Sequence, residues 1–150
     1  RKMINELQMS KENYAEMLEM YLRQIFITMQ RAFIGTIKKE KARVVDKIEK
    51  ATVYFNENYS QEINIDEYAE QMHVSVSWFI RNFRESTGLT PMQYILSKRI
   101  YNAEILLQDP SYNVSEISRV VGYDNPLYFS RIFKKAKGLS PSEYRKSMEV

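Results

Sequence analysis

The sequence predicts an all-α protein: two helix-turn-helix subdomains joined by a long connecting helix, preceded by a long amphipathic helix of the dimerising kind. Three observations carry this prediction. Only four glycines and four prolines occur in 150 residues, too few for strands joined by tight turns. Apolar residues recur at helical spacing nearly throughout. The third is a repeat: Phe79, Arg81, Phe83, Gly88, Leu89, Pro91 and Tyr94 return in the same order as Phe129, Arg131, Phe133, Gly138, Leu139, Pro141 and Tyr144, seven matches at one constant offset. Solenoid arrays need three or more units to bury a continuous core, so a repeat seen twice points to two complete helical modules.

Residues 11–33 read as one long helix, with Tyr14, Leu18, Tyr21 and Ile25 on one stripe and Leu22, Phe26, Met29 and Phe33 on a second. Together the stripes cover too much circumference for a helix packed on one side only. Partners are therefore expected on two sides, a second copy and a domain outside this sequence. Gly35 and the polar run 38–41 are expected to end the helix and form a hinge. A second helix is expected over 43–58, with Val44, Ile48, Ala51, Tyr54 and Phe55 facing inward.

Two short helices follow, about 65–72 and 75–86, with Asn64 and Ser75 as N-caps. Gly88 suits the left-handed position that stops the second. Thr90 followed by Pro91 starts the connecting helix, with proline at its first position. That helix runs to about residue 108, where Asp109-Pro110 ends it. After Asn113 the cycle repeats over 114–121 and 125–137, Gly138 stops it, and Ser140-Pro141 opens a last short helix through Tyr144. The expected division is a helical segment with hinge, 1–41, and a helix-turn-helix region, 42–150. Within the latter the first unit covers about 64–88, the connecting helix about 91–108 and the second unit about 114–138.

A helix-turn-helix packs two axes closely, so the first helix needs a small residue, and Ala69 and Ser118 are so placed. Four residues on, the turn favours glycine. The second unit supplies Gly122 and the first His73, a residue that tolerates positive φ better than most. On each second helix Phe79/Phe83 and Phe129/Phe133 lie four apart on one buried face. Arg81 and Arg131 then point away, able to reach phosphates or to pair bidentately with guanine. Residues near the N-termini lie closest to base edges: Ser75, Val76, Ser77 and Ile80 in the first unit, Asn125, Leu127 and Tyr128 in the second. Arg84, Lys134 and Lys135 add positive charge on the same helices.

The net charge is only +3, but it is unevenly spread. Residues 125–137 hold four bases and no acid, and 77–84 hold two bases and no acid. Such a stripe serves a polyanionic partner. Double-stranded DNA is thus the expected partner, with a helical protein–protein module carrying a basic face as the alternative. A connecting helix of about 27 Å, at 1.5 Å per residue, could hold two reading heads near the roughly 34 Å repeat of a groove turn.

Other classes are disfavoured. Cysteine is absent, which removes disulfides, thiol catalysis and thiolate metal sites and fits a reducing compartment. The single histidine, His73, reads as a turn residue rather than a ligand, and no metal or other cofactor is expected. An enzyme would need a nucleophile–base pair, a metal cluster or a phosphate-cradling glycine loop, and none is legible. No apolar run approaches a membrane span and nothing resembles a signal peptide, so no membrane partner is expected and the expected location is cytoplasmic, on the nucleoid. A chain opening on Arg1 is expected to be a fragment or a processed product. Trp78 reads as a packing or DNA-backbone residue, and Arg99 as a brace between the two units through an ion pair.

The region from Lys47 to Arg145 resembles the DNA-binding domain of AraC/XylS-type bacterial transcription regulators. The matching residues are Lys98-Arg99-Ile100, Ala103, Leu106-Leu107 and Val114-Ser115-Glu116-Ile117-Ser118. Then come the stretch from Gly122-Tyr123-Asp124-Asn125-Pro126 through Lys134-Lys135, and Gly138-Leu139-Ser140-Pro141-Ser142-Glu143-Tyr144-Arg145. Val76 stands where the family often has proline, and His73 replaces a small turn residue. The resemblance implies seven helices, two helix-turn-helix units and promoter binding that usually activates transcription, with RNA polymerase as a further partner. It also implies an N-terminal effector domain, often a small β-barrel, that binds a small molecule and ends in a dimerisation helix. The helix at 11–33 looks like that element.

Overall fold

The computed structural model describes residues 14–148, and among these it shows seven helices. They are α1 (Tyr14–Asn58), α2 (Ile65–Gln71), α3 (Val76–Thr87), α4 (Pro91–Leu107), α5 (Val114–Val120), α6 (Pro126–Lys137) and α7 (Pro141–Met148). Contacts group them into two compact units, Arg1–Val44 and Val45–Val150.

The expected break near Gly35 does not occur: Gly35 and residues 38–41 lie inside α1, a helix of 45 residues. A mid-helix glycine costs only about 1 kcal/mol relative to alanine, and the lysines and glutamate that follow are good helix formers. Polarity therefore marks a solvated stretch here rather than an end. Lys11, the expected first residue of that helix, lies outside the described residues.

In the second unit the end of α1 turns Ile48, Ala51 and Phe55 into the interior. Phe55 lies 6.3 and 5.5 Å, ring to ring, from Phe79 and Phe83 of α3, and Tyr68 of α2 stands 5.2 Å from it. Tyr54, expected inward, is partly exposed and stacks on Tyr68 at 4.8 Å. The α4 helix does for the second half what the end of α1 does for the first. Its Ile100, Ala103 and Leu107 meet Ile117 and Val121 of the α5 region and Phe129 and Phe133 of α6. Each fully buried phenylalanine contributes about 1.5–3 kcal/mol.

The helix starts are capped as the sequence predicts. Asn64 accepts from the Asp66 and Glu67 N–H groups, and Ser75 from Trp78. Reciprocal capping boxes pair Thr90 with Gln93 and Asn113 with Glu116. Glu143 accepts from the Ser140 N–H at 2.8 Å, and the Ser140 hydroxyl and N–H hold its carboxyl below the usual range. Gly88 and Gly138 stop α3 and α6 at φ 79° and 81°, their N–H groups bonded to Arg84 and Lys134 carbonyls.

Candidate nucleic-acid interface

Each reading helix is set by the turn before it. At the first turn, His73 N–H donates to the Glu70 carbonyl at 2.8 Å and Val74 N–H to Ala69 at 3.1 Å. At the second, Gly122 donates to Arg119 at 3.0 Å and Tyr123 to Ser118 at 2.8 Å. Both are Schellman closures around a left-handed residue, His73 at φ 53° and Gly122 at φ 88°. Ala69 and Ser118 are fully buried, as close crossing of two axes requires, and the Ser118 hydroxyl donates to the Ser115 and Tyr123 carbonyls. Lys47, which nothing in the sequence pattern marks out, fastens α1 to the first turn. Its Nζ donates to the Met72 carbonyl at 2.7 Å and lies 5.8 Å over the Trp78 ring.

With Phe79 and Phe83 buried, α3 presents Ser77, Arg81 and Arg84 on its exposed side, and Ile80 beside them. The matching positions on α6 are Leu127, Arg131 and Lys134, again exposed, opposite buried Phe129 and Phe133. The spacing i, i+4, i+7 places each trio on one helical stripe. Leu127 is 74% and Tyr128 56% exposed, so two large apolar groups stand in water at the head of α6. Lys135 is exposed too, and Lys134 sits 3.9 Å from Glu143, a contact open to solvent.

Three predicted contact residues have a different or divided duty. Ser75 uses its hydroxyl oxygen to cap α3, at 3.2 Å from the Trp78 N–H. Asn125 commits Oδ1 to the Leu127 and Tyr128 N–H groups at 3.0 and 3.2 Å, which leaves its Nδ2 amide for an outside acceptor. Val76 is half-buried and stands behind the exposed stripe. The charge is also less symmetric than the repeat: Glu85 occupies the place in α3 that Lys135 occupies in α6, and both are exposed. Comparing the two repeats at fixed offset would have revealed this.

Arg99 does brace the two halves, but not through an ion pair. Its Nε donates to the Tyr59 carbonyl at 2.6 Å, one terminal nitrogen to Gln61 at 2.8 Å and the other to Gly122 at 3.1 Å. The guanidinium lies 4.9 Å from the Tyr123 ring centroid. Burial pushes the Tyr123 phenol above its usual range, against the opposing pull of that cation. Carbonyls serve because the chain leaving α1 must bond its main-chain oxygens somewhere, and a five-donor fork can collect several at once.

Among the described residues no group of three or more His, Cys, Asp or Glu side chains is placed to hold a metal ion. Nor is any described helix long and apolar enough to cross a membrane.

Comparisons with known proteins agree with this geometry. A family profile described as a helix-turn-helix domain matches residues 68–147. The chain is 33% identical over 130 residues to the lactose operon transcription activator of Staphylococcus xylosus, covering 87% of this chain and 47% of that protein. It spans about half the length, or less, of the curated relatives it matches. Among solved structures, the C-terminal domain of AraT, a response regulator from Geobacillus stearothermophilus, superposes with a TM-score of 0.64 at 31% identity, over 67% of this chain and 84% of that one. The DNA-binding domain of the global transcriptional factor AdpA, solved in complex with a target DNA, gives 0.62 at 26% identity, over 67% and 90%. The profile match, the relatives and the shared two-unit fold together show that the chain belongs to the AraC/XylS family of transcription regulators.

Proposed function

We propose that this chain binds double-stranded promoter DNA in a sequence-specific manner and thereby regulates transcription, with α3 and α6 entering successive major-groove segments from one side of the duplex. The observation that carries the reading is the duplicated stripe: Ser77, Arg81, Arg84 and Leu127, Arg131, Lys134 hold equivalent exposed places on two helices fixed by equivalent turns. Arg81 and Arg131 take the base- or phosphate-reading role; Ser75, Val76, Ser77, Ile80, Asn125, Leu127 and Tyr128 flank them, and Arg84, Lys134 and Lys135 meet phosphates. The relative from Staphylococcus xylosus is named as an activator, which supports activation, and RNA polymerase is the further partner in this reading. Residues 42–150 form the DNA-binding domain in this reading. Residues 1–41 belong in this reading to the end of an effector and dimerisation domain, whose helix, described from Tyr14 onward, joins two copies. A small-molecule effector is sensed outside these 150 residues, and the protein works in the bacterial cytoplasm, without catalysis.

Selection of bound sequences from random duplexes of about 30 bp, close to three turns of the helix, tests this. Enrichment of two short blocks one helical turn apart is the expected result. Binding without enrichment would reduce the activity to phosphate-driven affinity, and no binding would favour a protein–protein module with a basic face.

A further inference from the structure

We propose that Arg99 is a positioning residue that fixes the two reading helices relative to each other, and so sets which spacing between DNA blocks the chain accepts. The inference rests on the DNA-reading function above. Arg99 is the ninth of the 17 residues of α4, the helix that links the two halves of the repeat. Two of its three hydrogen bonds go to Tyr59 and Gln61, in the segment between α1 and α2, and the third goes to Gly122, in the turn that aims α6. One planar group therefore ties the first reading unit to the turn of the second, with the Tyr123 ring beneath it.

The same junction explains the unequal turns. A Cβ at Gly122 would overlap the main chain of Ser60, so the second turn admits no side chain at its left-handed residue. His73, in the first turn, is exposed, and there a side chain fits. Arg99 also lies outside the repeated set, with Glu49 at its offset in the first half. A part needed once per pair of units, rather than once per unit, has that distribution. Without the clasp, orientation would rest on α4 and its flanking packing, and the angle between α3 and α6 would widen into a distribution.

The absence of cysteine makes a direct test simple. Spin labels on Glu85→Cys and Ala136→Cys, both exposed, report the separation of α3 and α6 without DNA. In parallel, affinity is measured on duplexes whose two blocks are moved apart or together base pair by base pair. For the unaltered chain we expect one narrow distance and a loss on the order of tenfold in affinity at the worst spacing. Arg99→Ala should broaden the distance and flatten the spacing profile to within about threefold, while affinity for a single block stays the same. Arg99→Lys, which keeps the charge and fewer donors, should recover part of both. A narrow distance and an unchanged profile in Arg99→Ala would overturn the proposal. If Arg99→Ala does not fold, Arg99→Lys decides in its place, since a profile identical to the parent would show that the three-carbonyl clasp sets nothing. If the parent binds no DNA, the function proposed above fails, and the spin-label distances alone still decide whether Arg99 holds the units.

Discussion

Arg131 and Lys135 sit one helical turn apart on α6, both exposed, and the physics assigns them different work. Arg131 stands one turn after Leu127, midway along α6, and in the proposed docking it faces the bases. Lys135 stands a turn later, where in the same docking a cation would meet phosphates. Arg131→Ala should cost about 1–3 kcal/mol of DNA affinity and relax preference at one base position, and Arg81→Ala should do the same in the first block. Lys135→Ala should instead weaken all sequences alike and reduce the slope of log affinity against log salt by about one. Titration of one selected duplex and its single-base variants at several salt concentrations separates the two patterns. Equal affinity in both arginine variants would remove α3 and α6 as the docking face. The first unit carries Glu85 where the second carries Lys135, so the salt-dependent share of binding should come mainly from α6.

At the scale of elements, the three left-handed glycines make a graded series. Gly88 and Gly138 have open space where a Cβ would go, so alanine there incurs only the left-handed backbone penalty of about 1–2 kcal/mol. Gly122→Ala adds a main-chain collision with Ser60 and should cost clearly more. His73→Gly, at φ 53° on an exposed residue, should by contrast leave stability equal or raise it by up to about 1 kcal/mol. Denaturant midpoints of the four variants check the order, and Gly122→Ala ranking with Gly88→Ala would show that the Ser60 contact yields freely. These positions also show what a sequence can disclose. Caps, stops and buried faces were readable because Asn64, Ser75, Thr90, Gly88 and the paired phenylalanines act on neighbours within a few residues. The continuity of α1 was not, because Gly35 lowers helix stability without deciding it, and the polar run that reads as a hinge consists of good helix formers. Arg99 was recognisable as a brace, whereas its partners were not: main-chain carbonyls 23 to 40 residues away carry no residue type to recognise.

At the scale of the molecule, the part of α1 in the unit Arg1–Val44 carries apolar surface that its own unit does not cover. In the unit Arg1–Val44, Leu22, Phe26, Met29 and Phe33 are all more than half exposed, and their intervals of four, three and four residues make the seam of a coiled coil. A second copy of the same helix satisfies such a seam with identical side chains, and symmetric pairing is the common solution for soluble chains. Because the seam spans barely two heptads, the dimer should be weak and concentration-dependent. Burial of each phenylalanine contributes about 1.5–3 kcal/mol, so Phe26→Ser with Phe33→Ser should abolish association at any practical concentration. Sedimentation equilibrium of parent and double variant measures this, and a parent that stays monomeric at high concentration would count against the seam. The DNA readout should divide along the same line. Affinity for one selected site should survive in the double variant, since α3 and α6 keep their caps and cores. Cooperative occupation of two neighbouring sites should vanish, because the proposed α1 seam is what would join one copy to the next.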